Sequence, residues 1–154
     1  MFVCMGNICR SPAAHAVAEQ RIAERNLDSV LRVDSSGTIA YHAGEPADPR
    51  MSAELAKYGI KNGHRSQQFR ESDFDEFDLI LAMDRQNLED IQSMARDEAD
   101  LRKLAMFRDF DPAGPGEVPD PYYGGREGFT RVYEMVDRTM EEILTRFEAG
   151  ELSR

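Results

Sequence analysis

Cys4 and Arg10 stand six residues apart in the run Phe2-Val3-Cys4-Met5-Gly6-Asn7-Ile8-Cys9-Arg10-Ser11-Pro12. A thiol at one end of a short loop and a guanidinium at the other suit a phosphate monoester: sulfur can attack phosphorus while the planar cation binds two phosphoryl oxygens. The spacing alone is weak, because arginine is abundant in this chain, and the flanking residues carry the signal. Phe2-Val3 is apolar and strand-like, Gly6-Asn7 tolerates positive φ, Ser11 suits a helix cap and Pro12 the first helical position. The stretch therefore reads strand, tight loop, helix. Such a loop turns several backbone N–H groups inward, and the helix dipole adds partial positive charge where a phosphate or a thiolate would sit. That field favours the nucleophilic form of Cys4 over the plainer reading of a buried structural thiol.

A second stretch, Asp111 to Gly125, is rich in proline and glycine and reads as a long loop before the last helix. Asp120 sits between Pro119 and Pro121 and is followed by Tyr122 and Tyr123. Two rings there would line a cleft for an aryl ester. A carboxylic acid beside them would protonate the departing phenolate, help that is typically worth about 10²–10⁴-fold. A lone Asp between prolines is otherwise a turn-former in a solvated loop; the tyrosines and the Cys4 loop favour the acid.

To position these groups the chain alternates strand-like and helix-like windows, the pattern of an α/β fold. Ser11 to about Arg25 is helical in pattern and rich in alanine, Val30 to Val33 alternates as a strand, 36–47 reads as a loop, and Asp48-Pro49 opens a helix that Gly59 closes. Phe77 to Met83 reads as a buried strand, Asp84 as the cap of the following helix, and Leu104 to Phe107 as a fourth strand. A last helix from about Glu127 to Glu148 carries one apolar stripe, Phe129, Val132, Val136, Met140, Ile143, Leu144 and Phe147, read as packing. The expectation is a single domain over residues 1–154: a four-stranded parallel doubly wound sheet flanked by helices, with the phosphate-binding loop at the end of the first strand. Only Met1-Phe2-Val3 precede Cys4, whereas a central strand usually runs about five or six residues. Either the true start lies upstream, or the first strand pairs over little length and an apolar extension is expected to stabilise the fold.

A chain of 154 residues with 41% hydrophobic content is sufficient for one core. Its net charge of −10 argues against nonspecific binding to nucleic acid or anionic lipid, and makes capture of a dianionic substrate salt-dependent. No apolar run approaches a membrane span and the Met1 region lacks a secretory pattern, so a cytoplasmic location is expected. Two cysteines five positions apart provide no disulfide framework and complete no zinc or iron–sulfur set, and His15, His42 and His64 are scattered along the chain. No metal or cofactor is expected.

Over nearly its whole length the chain resembles the low-molecular-weight protein tyrosine phosphatases. Cys4 to Pro12 resembles their nucleophile loop, Asp120-Pro121-Tyr122-Tyr123 resembles their acid motif, and Val33-Asp34-Ser35, Asp48-Pro49-Arg50 and Phe77 to Asp84 recur at matching intervals. The resemblance implies that Cys4 attacks phosphorus in line to form a phosphocysteine. Arg10 and the loop Met5, Gly6, Asn7, Ile8 and Cys9 would hold the phosphoryl oxygens, while Asp120 protonates the leaving tyrosine and then activates water, without metal or cofactor. It implies that Asn7, Ser11, Ser35 and His64 form a network supporting the loop, a surface loop histidine being the plainer alternative for His64. Tyr41, Tyr122 and Tyr123 match the rim that grips the substrate ring, with Tyr41 where relatives often carry Trp. Cys9 is either the second thiol of a reversible disulfide with Cys4 or a small core residue. The implied partner is a phosphotyrosine-containing protein, for bacterial members a tyrosine autokinase or its polysaccharide-export partners.

Three alternatives share the scaffold. Arsenate reductases that resemble it relay electrons through later cysteines, and none follows Cys9. Arginine-phosphate phosphatases tend to carry Thr where this chain has Ile8, whose apolar branch suits a phenyl ring better than a guanidinium. A noncatalytic phosphate-binding module or a phosphocarrier would have no use for Asp120 as a leaving-group acid.

Overall fold

In the computed structural model, which describes residues 1–152, Phe2–Cys4 (β1), Ser35–Gly37 (β2), Ile80–Ala82 (β3) and Leu104–Met106 (β4) form one parallel sheet in the order β2-β1-β3-β4. Phe2 lies opposite Ser35 on one side and Leu81 on the other, and Cys4 lies opposite Gly37. The chain leaves β1 for β2 on one flank and returns to β3 on the other, so the strand order reverses at β1 and a crevice opens beyond its carboxyl end. The helices are Arg10–Glu24 (α1), Pro49–Ala56 (α2), Asp73–Glu76 (α3), Arg85–Gln92 (α4), Glu98–Leu101 (α5) and Arg126–Glu148 (α6), with a short 3-10 turn at Phe107–Phe110. Among the described residues, no helix is long and apolar enough to cross a membrane.

Alternation along the strands feeds two cores. Phe2, Leu81 and Met83 pack with α1 and α6 through residues such as Val17, Phe129, Val136 and Met140, while Met1, Val3, Ile80 and Ala82 pack with Phe74 and Ile91 on the opposite face. Phe74, Phe107 and Phe129 are fully buried, each such side chain stabilising the fold by roughly 1.5–3 kcal/mol. The α6 stripe is buried as its spacing predicts, except that Phe147 lies partly exposed at the helix end and Tyr133 and Thr139 join the buried face.

The local signals hold at several boundaries. Asp48 caps α2 by accepting the Arg50 N–H at 2.8 Å, with Pro49 behind it, and Gly59 follows the helix at φ +72°. Asp84 caps α4 in a reciprocal pair with Asn87.

The second strand departs from expectation. Val30 to Val33 is not a strand: Val30 and Leu31 donate to the Leu27 carbonyl in a turn, and Val30 is 66% exposed. The strand is instead Ser35-Ser36-Gly37, overlapping the start of the 36–47 stretch expected to be loop, and all three are buried. Serine and glycine have poor strand propensity, but only small side chains allow α1 and the Cys4 loop to lie directly against this strand, so packing overrides propensity. The third and fourth strands are shorter than the apolar runs that contain them, since only Ile80–Ala82 and Leu104–Met106 pair.

Candidate active site

The loop after β1 runs from Met5 to Cys9, and α1 begins at Arg10. Cys9 is the N-cap residue and makes no side-chain cap bond; Ser11 and Pro12 fall at the second and third helical positions, not at the cap and first position as the sequence suggests. Pro12 is still tolerated there because N–H groups of the first turn have no intrahelical acceptor. With no cap across it, the helix N-terminus leaves its amides available to an anion.

Ser11, released from capping, supports the nucleophile. Its Oγ lies 2.9 Å from Cys4 Sγ and 3.3 Å from the Ser36 carbonyl, and Asn7 donates its backbone N–H to Cys4 Sγ at 3.2 Å. Asn7 takes φ +56°, in the left-handed region where Asn is among the most tolerated side chains. Its side chain is saturated: Nδ2 donates to Ser11 and Ser35, and Oδ1 accepts from His64 Nε2 at 2.8 Å and from the Gln67 N–H at 3.0 Å. Its carbonyl accepts from Ser66 Oγ. Two segments distant in sequence, Ser35 and residues 64–67, thus converge on one loop residue.

Arg10 is buried, and its guanidinium is aimed by partners far along the chain. Nη1 donates to Asp84 Oδ2 at 2.7 Å and to the Val118 carbonyl at 3.0 Å, while Nη2 lies 3.7 Å from Asp120 Oδ2. Burial opposes its charge, but Cys4, Asp84 and Asp120 outweigh that, so the proton is held more tightly than usual. Asp120 is half exposed at the mouth of the cleft, and its Oδ1 accepts the Tyr122 N–H at 3.0 Å in a tight Asx turn.

Cys4, Met5, Gly6, Ile8, Cys9, Arg10, Tyr41, Asp120, Tyr122 and Tyr123 line one cleft of about 440 Å³, together with Ile39 and His42. Tyr41 and Tyr123 are almost fully exposed at its rim. Tyr122 is braced by Arg50, whose guanidinium sits 5.3 Å from the Tyr122 ring and 4.7 Å from that of Phe129, and Asp48 holds Arg50 from the other side. Cys9 is buried; desolvation, then Asp48, Cys4 and Asp120, push its thiol pKa well up. Ser35 and His64 stand behind the loop through Asn7. Burial pulls the His64 pKa down, with His15 adding to that and Asp34 opposing it; for His15 burial again dominates over Asp34.

All the site residues expected from sequence therefore fall in this cleft or against the loop that forms its floor. Several residues without a functional signature in the sequence also shape the site. Asp84 caps a helix and also orients Arg10. Gly37 passes so close beneath the loop that a Cβ there would lie 2.6 Å from the Met5 carbonyl oxygen. Ser66 and Gln67 clamp Asn7, and His15, read as scattered, meets His64 edge to face with 4.8 Å between ring centres. Only Asp84 had a local signal, its position at the carboxyl end of a strand, where α/β sites collect.

A thiol and a buried guanidinium bounding an amide-lined loop, with a carboxyl group across the cleft, define a site for phosphoric monoesters. Comparison with known proteins sharpens the class. The model for the low molecular weight phosphotyrosine protein phosphatases matches residues 1–152. A low molecular weight protein-tyrosine-phosphatase of Streptomyces coelicolor is 44% identical over 146 residues, covering 93% of this chain and 89% of the relative. A protein tyrosine phosphatase structure from Entamoeba histolytica superposes with a TM-score of 0.93 at 39% identity, over 97% of this chain and 96% of that one. A Drosophila arginine phosphatase superposes with a TM-score of 0.88 at 30% identity, over 96% of each chain. The chain belongs to the low molecular weight phosphotyrosine protein phosphatase family, hydrolases of phosphoric monoesters that act through a phosphocysteine.

Proposed function

We propose that Cys4, Arg10 and Asp120 carry this chemistry, on tyrosine phosphate in a cytoplasmic phosphoprotein. Cys4 Sγ attacks phosphorus in line, the P–S bond forms as the P–O bond to the phenol breaks, and Asp120 gives its proton to the departing oxygen. Asp120, now a carboxylate, takes a proton from water; that water attacks phosphorus, the P–S bond breaks, and the thiolate and inorganic phosphate are released. Negative charge on the equatorial oxygens is met by the Arg10 guanidinium, the loop amides and the α1 N-terminus. Asn7, Ser11, Ser35 and His64 hold the loop, Met5, Gly6, Ile8 and Cys9 complete its wall, and Tyr41, Tyr122 and Tyr123 receive the ring.

The observation that carries this reading is the double hold on Cys4 Sγ by the Asn7 N–H and Ser11 Oγ, inside the same cleft that presents Arg10 and Asp120. The Asn7 N–H aimed at the sulfur is a contact that a nucleophilic cysteine uses and a purely packing one does not need. Ile8, which packs partly against the core beside Cys4, gives the cleft an apolar wall suited to a phenyl ring. Free Cys4 and Cys9 fit a reducing compartment. A bacterial tyrosine autokinase is the partner we favour.

The test is hydrolysis of p-nitrophenyl phosphate, a phosphotyrosine peptide and phosphoarginine in the presence of EDTA. Wild type is expected to prefer the phosphotyrosine peptide, Cys4→Ser to be inactive, and Asp120→Asn to lose about 10²–10⁴-fold on the peptide. Phosphate binding without turnover would overturn the catalytic reading, and faster turnover of phosphoarginine would overturn the phenolic one.

A further inference from the structure

Behind the Cys4 loop, His15 from α1, Asp34 at the entry to β2 and His64 from the segment after α2 meet in one cluster. Nδ1 of each histidine lies 3.8 Å from the same oxygen, Asp34 Oδ1, and the ligand atoms of the three residues lie within 4.8 Å of one another. The far nitrogens are already committed. His64 Nε2 must donate to Asn7 Oδ1, because Asn7 Nδ2 donates to two serines and Oδ1 also accepts the Gln67 N–H, which fixes which end of the amide is oxygen. His15 Nε2 lies 3.0 Å from Glu19 Oε1 and so carries its proton there.

In the neutral rings, both Nδ1 atoms are therefore unprotonated and lie beside one carboxylate oxygen, that of His15 also accepting from Ser35 Oγ at 3.1 Å. Imidazoles whose far N–H groups are anchored on oxygen, with the near nitrogens converging beside a carboxylate, are arranged as metal ligands with their outer hydrogen bonds in place.

We propose that His15, Asp34 and His64 bind a divalent transition metal of the zinc type, and that its binding lowers phosphatase activity. Tetrahedral bonds to zinc of about 2.0–2.1 Å place ligand atoms about 3.3 Å apart, so the two 3.8 Å histidine–aspartate separations need to close by about 0.5 Å and a separation at the 4.8 Å limit of the cluster by about 1.5 Å. A cleft lined by His15, Glu19, Gln20 and His64 gives the ion a path from solvent. Binding uses the lone pair on His15 Nδ1 that now faces Ser35 Oγ at 3.1 Å, and draws His64 toward Asp34, pulling on Asn7 through the hydrogen bond that His64 Nε2 makes to it. Asn7 and Ser11 position Cys4, so the ion acts on the nucleophile through the loop without touching substrate.

Binding is read without turnover by titrating Zn²⁺ calorimetrically, and Co²⁺ by visible absorption, into Cys4→Ser, which removes the reactive thiol as a competing ligand. One equivalent of metal is expected, with a tetrahedral Co²⁺ spectrum, weakened at least tenfold in Cys4→Ser carrying His15→Ala or Asp34→Asn. In wild type, Zn²⁺ is expected to lower kcat with KM unchanged, reversibly with EDTA, and the His15→Ala dose curve should shift at least tenfold. No binding to Cys4→Ser, or undiminished binding by both cluster variants, would overturn the proposal. Each of these outcomes is independent of whether the phosphatase assignment stands.

Discussion

Gly37→Ala probes the closest backbone approach in the site. A methyl group there would meet three backbone atoms of the nucleophile loop: Met5 O at 2.6 Å, Asn7 N at 3.1 Å and Gly6 C at 3.1 Å. Ordinary contact begins near 3.4 Å, so about 0.8 Å (3.4 minus 2.6) must be recovered by moving main chain, since no flexible side chain is available to yield. β2 cannot easily retreat: Gly37 donates to the Gln67 carbonyl at 2.8 Å, accepts from Phe69 N–H at 2.7 Å and pairs with Cys4 in the ladder. The loop therefore takes up the shift, carrying Cys4 Sγ and the amides away from the in-line geometry. A displacement approaching 1 Å at reacting groups is expected to lower kcat by about 10²-fold, whereas overpacking of this kind costs about 1–3 kcal/mol of stability. The assay is kcat and KM on p-nitrophenyl phosphate together with a urea midpoint, and Gly63→Ala is the control because nothing lies within 4 Å of its added methyl. A Gly37→Ala enzyme that stays folded with kcat within about threefold of wild type would refute the reasoning.

Three further outcomes follow from named contacts. Asp84→Asn keeps the α4 cap through its remaining oxygen but removes the charged acceptor of Arg10; the loss of a charge-assisted bond predicts a roughly 10–100-fold fall in kcat/KM and in inhibition by inorganic phosphate, with little change in melting temperature. Asp111 ties Arg138 of α6 and Arg108 to the loop that carries Asp120, with its side chain fully buried. Burial raises its pKa, but Arg138, the Ala113 N–H and Arg108 together hold it at about 2. A carboxyl depressed from 3.8 to about 2 contributes about 2 kcal/mol that is present above pH ~4 and lost as pH falls toward 2. The urea midpoints of wild type and Asp111→Asn should thus differ at neutral pH and converge in acid; a gap that persists near pH 2 would contradict the linkage. Peroxide inactivation of wild type should be reversed by a dithiol as a Cys4–Cys9 disulfide is reduced, and equal recovery in Cys9→Ala would remove Cys9 from that role.

What could be read from the chain was local. The Cys4 loop announced itself because a nucleophile, a left-handed Asn and a helix start lie within nine residues. Asp48 and Asp84 marked helix starts because capping is a bond to a residue two or three positions away, and α6 showed its buried face because helical packing repeats at a period visible in one segment. Even there the detail moved: α1 starts one residue before Ser11, which turns that serine from a cap into a ligand of the Cys4 sulfur.

The tertiary structure decided the rest. Ser35–Gly37 became a strand in preference to the β-branched Val30–Val33 because its neighbours needed thin residues, a requirement set by parallel pairing across more than thirty residues and by the loop lying on top. Arg10 is aimed by Asp84 and Val118, Asn7 is clamped from Ser35, His64, Ser66 and Gln67, and His15 meets His64 and Asp34 only once α1 lies against β2. Sequence by itself determined the chemistry of this protein, because a nucleophile and its anion-binding loop are contiguous. Which groups orient that chemistry, and which could regulate it, only the fold decided, because close approaches between distant segments leave no periodic trace in any one of them.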